Sequence, residues 1–419
     1  MDSYRRAYAK VDLDAIKHNL TVTKKALKDN MKLAAVVKAD GYGHGSVPVS
    51  LYIKDIVDFF CVATLEEGVN LRYHGITNPI LILACIPRNS YKESIVFDIR
   101  ESVFTLDQAK RINDEAGELG KKISIHIAID TGMNRIGFKP TKESADIIKE
   151  ISEMENIEIE GIFTHFHSAD DSDLTSAHHQ KKLFSDFLEL LHSMGVEPKI
   201  AHASKEQERL FGQFLDLLKS MGIEPSIVHA SNSAAIVNGI GTDFDMVRLG
   251  ITMYGIAPSN EVNLTNFNYK PALSIYSTIT YIKIIKAGES VSYGATFKAE
   301  KDMDIATISF GYADGYPRDL SNKGYVLING VKCNIIGRIC MDQTIVDVSN
   351  VPNVNIGDTV VILGKSAGNS ITVDELTKDS NTFSYEFICG INKRVPRLYY
   401  SNGEYVGKKD YIRDLYTMI

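Results

Sequence analysis

The front part of the chain alternates short apolar runs with stretches in which apolar residues recur at helical spacing. From residue 33 to about 250, this alternation is typical of strand–helix units packed around a parallel sheet. Nine runs have the composition of strands: 33–37, 58–63, 79–84, 102–104, 123–129, 158–164, 198–202, 225–229 and 246–249. A parallel barrel closes with eight strands, so the pattern predicts an α/β barrel and one strand too many.

A tandem repeat accounts for the extra strand. Residues 183–204 and 210–231 are identical at 15 of 22 positions, at a constant offset of 27. Each copy holds one helical stretch followed by one strand-like run. We therefore predict that one helix–strand unit of the barrel is duplicated, over 178–204 and 205–231.

Beyond about residue 268 the pattern changes to short β-branched runs separated by Asn-Gly, Gly-Asp and Asp-Gly turns. Such runs are typical of a mainly β domain. We divide the chain into a barrel domain, residues 1–268, and a mainly β domain, residues 269–419, which we expect to pack rigidly because no long linker separates them. The opening segment 4–14 alternates like a strand and is a candidate member of the β domain.

Composition and net charge limit the kinds of molecule that the protein is expected to bind. The net charge of −7 and a pI near 5.9 argue against a nucleic-acid or anionic-membrane surface. The start of the chain has no apolar leader segment, and no run of apolar residues is long enough to span a membrane. The cysteines lack metal-ligand spacing, so we expect no metal site and reduced thiols in a cytosolic protein. They are Cys61, Cys85, Cys333, Cys340 and Cys389.

The candidate chemistry begins where the first barrel strand ends. Lys38 follows the apolar run 33–37, so it lies where a parallel barrel presents its functional groups. A lysine in that place suits a Schiff base, although a lysine that caps a strand and reaches solvent has the same spacing. The next loop surrounds Tyr42 with glycines that let the backbone approach an anion, which favours the functional interpretation. They are Gly41, Gly43 and Gly45.

The string VVKADGYGHG at 36–45 resembles the pyridoxal-phosphate attachment motif of the alanine racemases. Further segments similar to motifs of that family follow the same order along the whole chain. They are 11–20, 130–138, 161–166, 229–235, 246–255, 291–296, 310–318, 337–343 and 394–397. The resemblance implies an eight-stranded parallel (β/α) barrel followed by a mainly β domain that contributes to the active site of a partner in a homodimer.

The resemblance also decides between the two copies of the repeat. Only the second copy continues into Asn232 and Ser233, which resemble the family's phosphate loop, so we assign the barrel strand to 225–229. We expect the helix of the first copy to pack outside the barrel and residues 198–204 to stay out of the closed sheet, because a ninth strand would change the shear. The alternative is that the first copy takes the barrel position and the second bulges out.

The implied activity is interconversion of L-alanine and D-alanine by two bases acting on a pyridoxal phosphate aldimine, which would supply D-alanine for peptidoglycan. Lys38 would be one base, and Tyr293 of the partner subunit would be the other, hydrogen-bonded to His165. Arg248 would leave the pyridine nitrogen unprotonated, and His229 would hold Arg248 in place. Taken alone, a strand tyrosine such as Tyr293 or a strand-end histidine such as His165 is more often a packing residue than a catalytic one.

The resemblance implies two further groups of residues. The cofactor phosphate would contact Tyr42, Ser233, Gly250 and Ile251, with Asn232 bracing the loop. The substrate side of the pocket would be formed by Arg135, Met341, Asp342 and Tyr312. For the last three, ordinary packing in the β domain is nearly as good an explanation.

The chain departs from the family pattern at two single positions and in the repeat. Ala128 replaces a lysine that supports Arg135 in many relatives, and a bound anion could take over that support. Lys393 replaces a tyrosine that narrows the pocket, so a serine or broad-specificity amino-acid racemase is the alternative. An inactive or non-catalytic cofactor-binding variant is a further alternative because of the repeat, whereas a single-barrel cofactor carrier would not need the β domain.

Overall fold

The computed structural model describes residues 6–171, 173–194 and 227–410, and β1 (Ala7–Asp12) is its first strand. Eight parallel strands then close a barrel in chain order. They are β2 (Lys32–Val36), β3 (Phe59–Val62), β4 (Ile80–Ile82), β5 (Ile99–Val103), β6 (Ile123–Ala128), β7 (Ile157–Phe163), β8 (Ile227–His229) and β9 (Met246–Leu249). The predicted barrel is therefore confirmed, and its strands are nearly continuous apolar runs because both faces are covered.

Helices surround the barrel, and several of them begin at side-chain caps that the sequence supplies. They are α1 (Leu13–Ala26), α2 (Lys38–Tyr42), α3 (Ser46–Ile53), α4 (Leu65–Tyr73), α5 (Tyr91–Val96), α6 (Leu106–Glu118), α7 (Lys142–Ser152), α8 (Thr175–Ser193) and α9 (Ser233–Val237). Thr64, Thr105 and Thr141 each accept a hydrogen bond from a backbone amide of the first turn. These caps fix where each helix leaves the barrel strand before it.

The two copies of the repeat contribute different pieces to the barrel. The helical stretch of the first copy forms the second half of α8, which buries Phe184, Phe187 and Leu191 on the outside of the barrel. The strand of the second copy is β8, which pairs with β7 at Gly161–Ile227 and with β9 at His229–Met246. The assignment of the barrel strand to the second copy is confirmed, and the alternative order is wrong. The prediction for 198–204 lies outside the described residues.

The second part of the chain is the expected mainly β domain. Its strands are β10 (Leu273–Ile285), β11 (Ser290–Val291), β12 (Phe297–Lys298), β13 (Met303–Ile308), β14 (Tyr325–Ile328), β15 (Val331–Asn334), β16 (Thr344–Asp347), β17 (Thr359–Ser366), β18 (Asn369–Ile371), β19 (Arg397–Ser401) and β20 (Glu404–Lys409). Two helices, α10 (Val373–Lys378) and α11 (Ser384–Gly390), precede β19. The strand β1 lies between β10 and β19, which confirms the expectation for the opening segment.

Candidate active site

Lys38 stands at the start of a left-handed turn. The five residues that follow it, Ala39–Gly43, all have positive φ, between 50° and 78°. Three of them carry side chains, for which this backbone conformation is unfavourable. Such a turn persists only where surrounding contacts hold it, and it aims the Lys38 amine into the mouth of the barrel.

Side chains on the barrel hold the turn from one side. The Glu67 carboxylate accepts hydrogen bonds from the amides of Ala39, at 2.6 Å, and Ala63, at 2.8 Å. The Asp40 carboxylate accepts from the amide of Ser46 at 2.9 Å. Donors of an irregular backbone are thereby satisfied next to the lysine.

The β domain holds the turn from the other side. The buried Arg397 guanidinium donates to the carbonyl of Gly43 at 2.9 Å and also to carbonyls of its own domain. The Tyr399 hydroxyl donates to the carbonyl of His44 at 3.0 Å. Neither contact was anticipated from the sequence, although both residues lie at or just after the matched segment 394–397.

The surroundings of Lys38 favour a neutral amine. Burial lowers the pKa of Lys38 from its ordinary value, and the nearby Arg135 guanidinium lowers it further. Glu67 acts in the opposite direction with a smaller effect. Desolvation and a nearby cation therefore both favour loss of the proton from Lys38.

Arg248 is buried in the barrel behind Lys38. Its guanidinium donates to the carbonyls of Thr164, at 3.0 Å, and Ala230, at 2.9 Å, and to the His229 Nδ1 at 2.7 Å. The same group lies 3.3 Å from the His165 Nδ1. Each of these acceptors is neutral, so the positive charge of Arg248 stays available to the cavity.

His229 is itself held by residues that sequence reasoning missed. Its Nε2 lies 2.8 Å from the Nδ1 of His126, and the Nε2 of His126 lies 3.2 Å from Glu160. Both histidines are fully buried, and burial lowers the pKa of each. The available signal was a polar residue on each of two adjacent apolar strands, β6 and β7.

A cradle for an anion lies beside these groups. The Ser233 Oγ accepts from the Gly250 amide at 2.9 Å, and Asn232 caps α9 through the amide of Ala235. A Cβ at Gly250 would lie 3.0 Å from the Tyr42 hydroxyl and 3.4 Å from the Ser233 Oγ. Only glycine therefore leaves this space open, which suits a bound phosphate.

One cavity of about 740 Å³ joins the lysine to the cradle. The predicted residues that line it are Lys38, Tyr42, His165, Asn232, Ser233, Arg248, Gly250 and Ile251. Tyr385 of the β domain, which was not predicted, lines it as well, with its ring centroid 6.0 Å from that of Tyr42. Arg135 is exposed on the loop that follows Ala128, close enough to Lys38 and His165 to lower the pKa of both.

The remaining predicted residues lie on the surface of the β domain, away from the lining of this cavity. The side chains of Tyr293, Tyr312 and Met341 are 68%, 41% and 52% exposed. Their segments adjoin, since the Tyr312 amide donates to the carbonyl of Cys340 at 3.0 Å and the Ser292 Oγ lies 3.5 Å from the Cys340 Sγ. Asp342 pairs with Arg394 at 2.7 Å. Within one chain these residues do not meet Lys38.

Two of the departures from the family pattern have clear positions. Ala128 is buried at the end of β6 and offers no polar side chain to the loop that carries Arg135. Lys393 is exposed in the segment before β19.

Among the described residues, none of the helices combines the length and apolar character needed to cross a membrane.

Comparison with known proteins agrees with this arrangement. The family model for the alanine racemase N-terminal domain matches residues 11–205 and again 203–258, so its two matches meet inside the repeat. The model for the alanine racemase C-terminal domain matches residues 272–399. Together the matches cover both parts of the fold.

Individual relatives are similar over nearly their whole length. Alanine racemase 1 of Clostridium acetobutylicum is 39% identical over 409 residues, which span 97% of this chain and 99% of that protein. Among solved structures, the alanine racemase of Clostridium difficile 630 has a TM-score of 0.86 at 35% identity, covering 98% of this chain and all of that one. The alanine racemase of Bartonella henselae, solved with covalently bound pyridoxal phosphate, has a TM-score of 0.79 at 27% identity, covering 94% and 99%. The chain therefore belongs to the alanine racemase family of isomerases.

Proposed function

We propose that this chain interconverts L-alanine and D-alanine with pyridoxal 5'-phosphate held by Lys38. The observation that carries the proposal is one cavity containing an amine with a lowered pKa, a buried arginine and an open anion cradle. Family membership supports the same activity. The reaction needs each of these three features.

The residues present fit the cofactor. Tyr42, Ser233 and the backbone at Gly250 and Ile251 would hold its phosphate, where a Cβ at Gly250 would fill the space. Arg248 would face the pyridine nitrogen as a permanent donor and keep that nitrogen unprotonated. When bound, the cofactor withdraws electrons from an attached amino acid and makes its Cα proton acidic.

Lys38 serves two tasks in this proposal. Its neutral amine attaches the cofactor, and the same amine, once an amino acid has displaced it, accepts or returns the Cα proton on one face. Desolvation and the charge of Arg135 both lower the pKa of Lys38, which favours the neutral amine that both tasks need. The left-handed turn after Lys38 fixes where the amine can reach.

Tyr293 of the partner subunit would serve the opposite face. Because the Arg248 guanidinium cannot accept a hydrogen bond and lies 3.3 Å from the His165 Nδ1, the hydrogen of a neutral His165 lies on its Nε2. His165 lines the cavity and can therefore donate to a phenolic oxygen that enters from a second chain. That hydrogen bond stabilises phenolate and makes the phenol a usable base.

A homodimer with shared active sites follows from the same proposal. Tyr293, Tyr312 and Met341 are large, exposed and gathered at one place on the β domain. Exposed apolar groups gathered in this way are typical of an interaction site. Placing that patch over the cavity of a second copy would bring Tyr293 of the partner subunit to the free side of the substrate.

The test is a chiral assay of the purified protein with L-alanine and pyridoxal phosphate, alongside Lys38→Ala and Tyr293→Phe. We expect D-alanine from the unaltered chain and a loss of at least about 100-fold in each variant, the size of effect that a positioned proton-transfer group contributes. A parallel assay with L-serine at the same concentration tests the alternative that the protein is a serine or broad-specificity amino-acid racemase. Racemisation that survives in Lys38→Ala would contradict the proposal.

A further inference from the structure

A continuous row of hydrogen-bonding groups leads from Arg248 through the barrel to Arg100 on β5. From Arg248 it passes through His229, His126 and Glu160 to Arg100. The successive separations are 2.7 Å, 2.8 Å, 3.2 Å and 3.0 Å. Both histidines have no exposed surface, and only the last two members of the row reach solvent.

The donor at each end fixes every hydrogen in the row. A guanidinium only donates, so the Nδ1 of His229 must accept and its hydrogen lies on Nε2. That hydrogen points at the Nδ1 of His126, which must therefore accept in turn. The remaining hydrogen of His126 lies on Nε2 and is donated to Glu160.

Glu160 is suited to be the acceptor that ends the row. Its carboxylate receives two hydrogen bonds from Arg100, at 3.0 Å and 3.3 Å, so it stays ionised and cannot donate. Burial by itself would raise the pKa of Glu160, but the hydrogen bonds from His126 and from Arg100 together outweigh burial and lower it to about 2. An ionised carboxylate that accepts a hydrogen bond from one nitrogen of an imidazole commonly fixes the hydrogen on that nitrogen.

We propose that His126 and Glu160 are positioning residues, which set the tautomer of His229 and through it the orientation of the Arg248 guanidinium. The effect on racemisation depends on the proposed role of Arg248 toward the cofactor ring. The tautomer itself does not depend on that role. If the row reversed, the Nδ1 of His229 would carry a hydrogen aimed at a hydrogen of Arg248, and the guanidinium would have to move.

The decisive variant is Glu160→Gln. In a glutamine the amide nitrogen replaces either Oε1, where it faces Arg100 alone, or Oε2, where it faces both Arg100 and His126. The second orientation places a donor where the row needs an acceptor. Glu158→Gln is the matched control, because Glu158 lies on the same strand, is exposed and makes no contact with either histidine in the described structure. Both variants change a carboxylate to an amide on β7.

The measurement is ¹⁵N NMR of histidine-labelled protein without cofactor, with the His126 and His229 signals assigned from single His→Asn variants. In the unaltered chain we expect both histidines neutral with the hydrogen on Nε2. In Glu160→Gln we expect a second tautomer of His229, together with a fall in kcat of roughly 10-fold in the loaded enzyme. Glu158→Gln should leave the tautomer unchanged and kcat within about twofold, as expected of an exposed side chain away from the site.

Several outcomes overturn the inference. A hydrogen on Nδ1 of His229 in the unaltered chain does so without any variant, which covers the case in which Glu160→Gln does not fold. An unchanged tautomer in Glu160→Gln, or a changed tautomer with unchanged kcat, does so as well. A chain that lacks racemase activity but shows the expected tautomers in both variants would instead count against the proposed function.

Discussion

At the residue scale, Glu101 is a buried carboxyl group that the proposed reaction does not use. It lies on β5 with no exposed surface, and neither of its oxygens has a hydrogen-bond partner in the described structure. The Ser94 hydroxyl nearby donates to the carbonyl of Tyr91 at 2.7 Å and offsets little of the cost of burial. Burial raises the pKa of Glu101 from 4.5 to about 7.

Glu101 should make the stability of the folded chain depend on pH. Between pH 4.5 and about 7 the folded state keeps a proton that the unfolded state has lost, so the free energy of unfolding falls as the pH rises. The full loss is about 3 kcal/mol and is complete above that range. Glu101→Gln should remove the part of this decline that Glu101 causes. Urea unfolding at pH 5 and at pH 8, on either side of the folded-state pKa of about 7, measures it.

The exposed Glu118→Gln is the control for this measurement and should leave the decline in place. Asp245, whose pKa burial raises to about 8, acts in the same direction. The test is therefore how much the decline in the free energy of unfolding differs between Glu101→Gln and the unaltered chain. An equal decline in both proteins would mean that Glu101 stays ionised when the chain folds.

At the same scale, the sequence predicted the residues that belong to motifs and missed those that act through them. Lys38, Arg248 and Ser233 lie within matched segments, and the structure brings them to one cavity. A lone histidine such as His126 in an apolar strand carries no comparable signal. Its partner Glu160 is adjacent only after β6 and β7 have paired.

At the element scale, the left-handed turn after Lys38 has an unfavourable conformational free energy, which contacts with other elements must offset. Three of its residues are not glycine, at about 1 kcal/mol or more for each. Arg397, on β19, satisfies the carbonyl of Gly43 together with those of Ile391, Asn392 and Val395. Sequence patterns do not show such a contact, because it joins residues more than 350 positions apart.

Arg397→Met should weaken both the fold and the site. Losing the guanidinium leaves buried carbonyls without donors, which we expect to lower the free energy of unfolding by about 3 kcal/mol. Cofactor affinity should fall by roughly 10-fold, because a loosened turn no longer holds Lys38. Urea unfolding and a pyridoxal phosphate absorbance titration measure the two effects.

The exposed Arg111→Met, which removes an ion pair with Asp107 on α6, is the matched control. We expect it to change stability by no more than about 0.5 kcal/mol, as for surface pairs in general, with unchanged cofactor affinity. Full cofactor affinity in a folded Arg397→Met protein would show that the turn holds Lys38 without help from the β domain.

The repeat is also an element-scale feature, since α8 comes from the first copy and β8 from the second. Deleting residues 196–222 removes 27 positions and rejoins a complete helix–strand unit. We expect the shortened chain to fold and to keep racemase activity within about twofold, because long insertions between elements add little free energy. The chiral assay and circular dichroism measure this.

A second deletion of equal length is the control. Removing 207–233 leaves the strand-like run of the first copy but takes away Asn232 and Ser233. That protein should lose cofactor binding, because its anion cradle is incomplete. Loss of folding in the 196–222 deletion would show that the additional residues have become necessary to the barrel.

At the scale of the whole molecule, the proposed reaction needs two chains. The cavity holds Lys38, whereas Tyr293 is exposed on the β domain and is not part of the cavity lining. The order of the barrel strands was predictable, because βα units wind in one direction and close with their neighbours. The surface that we propose to meet a partner could be anticipated only from the family resemblance.

Mixing two inactive variants should therefore restore activity. A dimer of one Lys38→Ala chain and one Tyr293→Phe chain has one damaged site with both changes and one intact site. Co-refolding equal amounts should give about a quarter of the unaltered activity, because half of the dimers are mixed and each has one working site of two. The chiral assay measures the recovery.

The control replaces the second partner with a chain that carries both changes. Mixed with Lys38→Ala, it cannot form an intact site, and its activity should stay at background. No recovery in the first mixture, with dimers present by light scattering, would mean that Tyr293 acts within its own chain or not at all.

The hybrid origin of the seventh helix–strand unit has a consequence for how the chain reaches this fold. The run IAHAS at 200–204 closely matches IVHAS at 227–231, so the open edge of β7 meets two nearly equal candidates for the same place. The earlier one leaves the ribosome first, yet only the later one completes the anion cradle. Any pairing of β7 with the earlier run would have to be undone before the barrel closed around β8, a competition that a barrel with a single copy does not face.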